Sequence, residues 1–292
     1  MTDNLRGAAL MVAAMACFAV EDALIKGLSA RFSSAQIVWM LGLGGAVAFA
    51  VIMRGKGQPV WTPDYVHPRV LLRTGFEVFG TLFFVSSLAL IPLALASAII
   101  QATPLVVAMG AALFLGAQVG WRRWLAIAVG FSGVLIILRP GTAAFEPAAL
   151  LAVMGMLGLA ARDLATRTMP AAISGARLSF HAFAGLVPTG LALQLIQGHA
   201  FAPLPLSDLG ILALCVGIGM VGYLAIVGAT RQGDIAVVSS FRYSRMLFAL
   251  IVGAIAFGER PDLATIIGVT IVIATGLYTL IREARLRAAS QA

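Results

Sequence analysis

Residues 235–258 read IAVVSSFRYSRMLFALIVGAIAFG, an apolar run interrupted only by small polar residues and by Arg242 and Arg245. As a helix rising ~1.5 Å per residue, such a run crosses the ~30 Å of hydrocarbon in a bilayer. A core helix of a soluble protein would instead show an apolar stripe and a charged face. The two arginines stand at i and i+3, on one helical face. Each charge at the centre of a span costs about 2.5–3.5 kcal/mol on insertion scales, so this face meets water, a counter-charge or a ligand rather than lipid.

The composition agrees with a membrane chain. Of its 292 residues 61% are hydrophobic and 11% charged, with a mean hydropathy of +1.00. Soluble domains carry about 45–50% apolar and about 25% charged residues. The net charge of +8 does not indicate nucleic acid, because the basic residues fall at the ends of apolar runs and form no stripe. Cys17 and Cys215 each lie within an apolar run, so neither a disulfide framework nor a metal spacing follows. The start, MTDNLRGAALMVAAMACFAV (1–20), resembles a signal peptide. Glu21, Asp22 and Lys26 stand where a small-residue cleavage site belongs, so a retained first helix is expected.

Ten spans are expected, near 6–27, 35–53, 70–90, 93–116, 121–138, 147–168, 176–197, 209–230, 235–257 and 262–281. They are continuous, unlike the alternating segments of about ten residues that build a membrane β-barrel. With the N-terminus in the cytoplasm, the inner ends collect Arg6, Arg54, Lys56, Arg69, Arg73, Arg122, Arg123, Arg167, Arg177, Arg231, Arg282, Arg285 and Arg287. The outer side holds Lys26, Arg31, Arg139 and Arg260. That asymmetry puts both termini inside.

The chain also repeats. A shift of 142 aligns Gly75 with Gly217, Gly80 with Gly222, Ser97 with Ser239, Leu105 with Leu247 and Gly116 with Gly258, among nine identities over residues 75–116. A shift of 141 aligns Met15 with Met156, Ala19 with Ala160 and Asp22 with Asp163. Two halves of five spans, 1–141 and 142–292, must enter the membrane from opposite sides. The expected fold is therefore all-α and integral to the membrane, with ten helices in two inverted five-helix repeats. Inverted repeats place substrate sites near the midplane and work by alternating access.

The charged residues inside the spans are Glu21, Asp22, Glu77, Arg162, Asp163, Arg242 and Arg245. Asp22 precedes Lys26, and Asp163 precedes Arg167, each by four residues. Two readings stand for these mates: gates on opposite faces with proton coupling through Asp22, Glu77 or Asp163, or simple helix-end ion pairs. Two also stand for Arg242 and Arg245. An arginine fork holds a substrate carboxylate bidentately, or it pairs permanently with Glu77, Asp163 or Asp22. On the first reading, Arg245→Met abolishes transport and leaves the fold intact.

Phe76, Phe79 and Phe83 share a face of the third span, which Tyr223 and Trp39 could approach to form an aromatic wall or merely pack. Gln101, Thr103 and Pro104 mark an irregular backbone of the kind tolerated beside a cavity. The small-residue runs GLGG (42–45), GFSG (130–133) and GIGMVG (217–222) are expected at close helix contacts. His67, His181 and His199 are scattered, and no phosphate loop, H-E-x-x-H or CxxC occurs. No enzyme, metal or cofactor is expected.

The endings LFLGAQVGWRRWLAIAVGFSGVLIIL (113–138) and IAFGERPDLATIIGVTIVIATGLYTLI (255–281) resemble the drug/metabolite transporter superfamily, in its ten-helix EamA-type exporters. The resemblance covers essentially the whole chain. The usual Gly-Glu ending the ninth span is Gly258-Glu259, whereas its mate is Gly116-Ala117; the fourth-span proline is Pro104, and Met246 stands in the ninth. The family arrangement implies a cavity bringing Asp22, Phe79, Gln101, Asp163, Tyr223, Arg242 and Arg245 around one space. Members export amino acids and other metabolites, or import S-adenosylmethionine or riboflavin. The expected function is secondary or facilitative transport by alternating access in a bacterial inner membrane, exporting amino acids that include hydrophobic and aromatic ones. Its expected partners are a small-molecule substrate and the lipid bilayer. The alternative is an importer of S-adenosylmethionine or riboflavin; a channel or a non-transporting scaffold is a third, weaker fit.

Overall fold

The computed structural model of the chain describes residues 3–117, 120–170, 173–230 and 235–291. In chain order its helices are α1 (Asp3–Leu28), α2 (Ser34–Gly55), α3 (Pro68–Leu90), α4 (Leu93–Ile100), α5 (Thr103–Phe114), α6 (Trp121–Leu138), α7 (Ala149–Thr166), α8 (Gly175–Ile196), α9 (Leu206–Thr230), α10 (Ile235–Ser240), α11 (Ser244–Phe257) and α12 (Leu263–Gln291). Short 3-10 turns occur at Pro63–Val66 and Phe241–Tyr243, and there is no strand among the described residues. Ten of the described stretches are long and apolar enough to cross a membrane, with Leu93–Phe114 and Val238–Phe257 each built from two shorter helices. Only the last span departs much from its expected end. Beyond 281 the segment REARLRAAS holds good helix formers and neither Gly nor Pro, so α12 continues to Gln291. Of the residues in the charge count, Arg231 lies outside the described residues, as do the side chains of Arg285 and Arg287.

Two compact units form, and each draws on both halves of the sequence. The first comprises Met1–Ala23, Ile91–Ala149 and Ile218–Ala292. The second comprises Leu24–Leu90 and Leu150–Gly217.

In the first unit α6 and α12 meet backbone to backbone. A Cβ on Gly133 would lie 2.8 Å from the Gly268 carbonyl oxygen, and one on Gly268 would lie 2.6 Å from the Gly133 oxygen. Such closeness is how helices associate in lipid, where apolar burial gives no drive. Met11, Met15 and Val238 form a small core nearby. In the second unit α2 meets α8, where a Cβ on Gly42 would lie 2.8 Å from Leu186 Cβ. Likewise α3 meets α7, where a Cβ on Gly158 would lie 2.6 Å from Gly80 Cα. The runs GLGG and GFSG thus stand at close contacts as expected. In GIGMVG, Gly219 and Gly222 do so, whereas Gly217 faces open space.

Polar side chains tie the second unit's connections. The Gln36 amide donates to the Ala202 carbonyl at 2.8 Å and accepts from its N–H at 3.0 Å. Buried Gln194 accepts from Ser33 Oγ at 2.6 Å and donates to the His199 and Ala200 carbonyls. Arg31 pairs with Asp208 at 2.8 Å.

The fourth and ninth spans break at positions 142 residues apart. Pro104 cannot donate to the Ile100 carbonyl; Thr103 Oγ1 donates to it instead, at 2.5 Å. The ninth span has no proline, yet Phe241–Tyr243 tightens into a 3-10 turn. Gln101 Nε2 donates to the Tyr243 carbonyl at 3.2 Å, so the two breaks are joined. Both spans then end in left-handed glycines, Gly116 at φ 66° and Gly258 at φ 65°. The following N–H groups turn back the same way, Ala117 to the Ala111 carbonyl at 3.0 Å and Glu259 to the Gly253 carbonyl at 3.1 Å.

Glu259 has a further role. Its two carboxylate oxygens accept from the backbone N–H groups of Leu93 at 2.7 Å and Ala94 at 3.0 Å, capping α4. A carboxylate there satisfies orphan donors and complements the helix dipole. Ala117, its mate, has no side-chain acceptor to offer. Glu259→Ala is expected to destabilise the protein by about 1–2 kcal/mol, the scale of a lost helix cap, read as a lower unfolding temperature in detergent; an unchanged temperature contradicts the capping role.

Candidate functional site

In the first unit Arg245 lies in the first turn of α11, which follows the 3-10 turn. Its Nη2 donates to Asp22 Oδ2 at 2.6 Å, with the side chains 20% and 6% exposed. Phe18 and Asp22 are one turn apart on α1 and so share a face. Accordingly, the Arg245 guanidinium also lies over the Phe18 ring, 5.6 Å from its centroid. Glu21 adjoins the pair, and its carboxylate rests on bare α9 backbone: a Cβ on Gly219 would sit 2.5 Å from Glu21 Oε1. Arg242, within the turn, is exposed. Gln101, buried, reaches the carbonyl of the residue after Arg242. Tyr223 is half-buried on α9 beside Gly222, which packs against Cys17 and Phe18.

The second unit holds another charged group. Glu77 of α3 accepts from Arg73 Nη2 at 2.8 Å and from Arg162 Nη1 at 2.7 Å, using both oxygens. Arg162 Nε adds Asp163 at 2.8 Å. Arg73 also donates to the Leu178 carbonyl at 2.9 Å, and its side chain is 8% exposed. Asp163 is the most open of the four, at 36%. On the same pair of helices Phe79 meets Phe83 with ring centroids 4.6 Å apart and borders Gly158. Trp39 packs on Phe201, centroids 6.4 Å apart.

Of the seven residues expected around one space, Asp22, Gln101, Tyr223, Arg242 and Arg245 belong to the first unit. Phe79 and Asp163 belong to the second. Asp22 and Arg245 are in direct contact, and Asp22 and Asp163, which the 141-residue shift aligns, have different arginine partners. Arg73, one of the charges expected at an inner end, pairs with Glu77. Its i, i+4 spacing from Glu77 was the available signal. No three His, Cys, Asp or Glu side chains among the described residues come together as metal ligands.

Comparison with known proteins gives this arrangement a family. The EamA-like transporter profile matches residues 5–139 and again 146–281. The chain belongs to the EamA-like transporter family. Within the curated EamA-related proteins it is 22% identical over 281 residues to an S-adenosylmethionine uptake transporter of Rickettsia prowazekii, covering 96% of this chain and 94% of the relative. It is 27% identical over 282 residues to a riboflavin transporter of Rhizobium johnstonii, with 96% and 92% covered. It is 29% identical over 273 residues to a pseudopaline exporter of Pseudomonas aeruginosa, with 91% and 93% covered. One solved crystal structure shares the fold at a TM-score of 0.60 and 18% identity, across 96% of this chain and 98% of the other.

The ion pair changes what Arg245→Met would do. Breaking a buried pair from one side leaves an uncompensated charge, at a cost of about 3–5 kcal/mol. The single variant is therefore expected to lose stability as well as activity. Asp22→Asn together with Arg245→Met is expected to regain most of that stability in thermal unfolding while staying inactive. Equal losses in the single and double variants contradict the pairing.

Proposed function

We propose that this EamA-like transporter moves small zwitterionic metabolites by alternating access, secondary-active or facilitative, and that it exports amino acids across the bacterial inner membrane. The observation that carries the reading is the Arg245–Asp22 pair beside the joined breaks of the fourth and ninth spans. An amino acid presents the same two charges. Its carboxylate replaces Asp22 on the Arg245 fork, and its ammonium takes Asp22, so no charge is left uncompensated as substrate enters. Gln101, Tyr223 and Arg242 complete the polar lining in this reading. Apolar surroundings discriminate side chains by only about 1–3 kcal/mol per methylene, which favours broad specificity. In the second unit we assign gating, or proton coupling where transport is active, to Asp163 and Glu77 with Arg162.

The same proposal takes 1–141 and 142–292 as inverted repeats with both termini cytoplasmic. The aligned identities, the paired glycine caps, the two breaks at 101 and 243 and the two matches to the family support it. The bacterial relatives support the inner membrane.

The second reading is uptake of S-adenosylmethionine or riboflavin, favoured by relatives that carry those names. S-adenosylmethionine is itself an α-amino acid, so Arg245 and Asp22 would serve it too. Riboflavin has no carboxylate and would leave the pair intact.

Counterflow in proteoliposomes discriminates these. Vesicles preloaded with unlabelled compound are offered labelled threonine, methionine, phenylalanine, S-adenosylmethionine and riboflavin. Protein-dependent uptake of several amino acids is expected. Riboflavin as the one accepted compound overturns the zwitterion reading, and S-adenosylmethionine alone keeps the site but replaces the substrate.

A further inference from the structure

The broken spans and charged groups leave the outer wall of α6 and α12 without a role. An open groove of about 460 Å³ runs along it. Trp121, Leu125 and Val129 of α6 form one side, at a spacing of four residues that keeps them in one row; Ala274 and Tyr278 of α12 form the other. From Trp121 to Val129 a helix rises about 12 Å, most of the ~15 Å depth of one leaflet.

The two ends of the groove differ. Towards α6's first turn Arg122 lines it, the guanidinium lying 5.4 Å from the Trp121 ring centroid. Arg282 reaches the same end, its Nη2 being 3.8 Å from where a Cβ on Gly120 would stand. No carboxylate is among the residues that line the groove. Trp121 and Tyr278, 69% and 45% exposed, have the amphipathic rings that settle at headgroup level. The other end is apolar.

We propose that this groove is a binding site for an anionic phospholipid. One acyl chain lies along Leu125, Val129 and Ala274, and the phosphate sits between Arg122 and Arg282. Basic pockets between membrane helices favour anionic headgroups in this way, and guanidinium forks match phosphate oxygens. None of the groove's lining residues takes part in the Arg245–Asp22 contact, and the inference does not depend on the substrate.

The test is native mass spectrometry of the full chain in neutral detergent, titrated with phosphatidylglycerol or phosphatidylcholine. Phosphatidylglycerol is expected to bind more tightly. Each of Arg122→Gln and Arg282→Gln is expected to weaken it about fivefold, the fold-change equivalent to ~1 kcal/mol per basic residue near an anionic lipid surface. Ala274→Phe fills the apolar end with both arginines kept, and is expected to weaken both lipids. Equal binding of the two lipids, or phosphatidylglycerol binding untouched by all three substitutions, overturns the proposal. So does a stable dimer that excludes lipid and is broken by Ala274→Phe, because a second copy would then fill the groove.

Discussion

Charge inside the hydrocarbon has to be compensated locally, and here each unit holds its own balanced set. Glu21, Asp22, Arg242 and Arg245 belong to the first unit; Arg73, Glu77, Arg162 and Asp163 belong to the second. Each set comprises two acids and two bases. The contacts differ in kind. Glu77 is held from both sides by arginines on α3 and α7, an arrangement that braces two helices. Asp22 and Arg245 form a contact at a place where the backbone is broken. The first is a brace, whereas the second is the contact that, in the proposed function, a ligand bearing the same two charges divides.

The breaks matter because straight spans would leave no polar backbone at that depth. In the fourth span a proline makes the break, and Thr103 satisfies the freed carbonyl. In the ninth a glutamine from the fourth holds a 3-10 turn open to its side chain. Irregular backbone of this sort persists within a membrane only where protein or water satisfies it. Glu259 then fixes where α4 begins. Arg245, the joined pair of breaks and the capped helix end thus belong to the fourth and ninth spans and their ends, while Asp22 comes from α1.

The spans themselves were legible because a bilayer demands long apolar runs, and α6 matches its expected ends residue for residue. The matching ends of the fourth and ninth spans were legible in Gly116 and Gly258, since glycine enters the left-handed conformation without strain. The ninth-span break was not, because Met246 gives no local sign of it and the carbonyl there is met by a side chain 142 residues away. The Arg73–Glu77 pair also went unread, although the two stand one turn apart on α3. Nor could sequence show that each compact unit would draw on both halves, with Phe79 and Asp163 in one unit and Asp22 and Arg245 in the other. Periodicity reports which residues share a helix face, whereas packing decides which helices share a unit.

The charge-reversed variant, Asp22→Arg with Arg245→Asp, tests most directly whether the pair serves substrate as well as fold. It keeps both charges and their contact while moving the guanidinium to the other helix. The account predicts an unfolding temperature close to that of the unaltered protein and no counterflow of any carboxylate-bearing substrate. Counterflow at the unaltered rate would contradict it, because the position of Arg245 would then be irrelevant to what is carried.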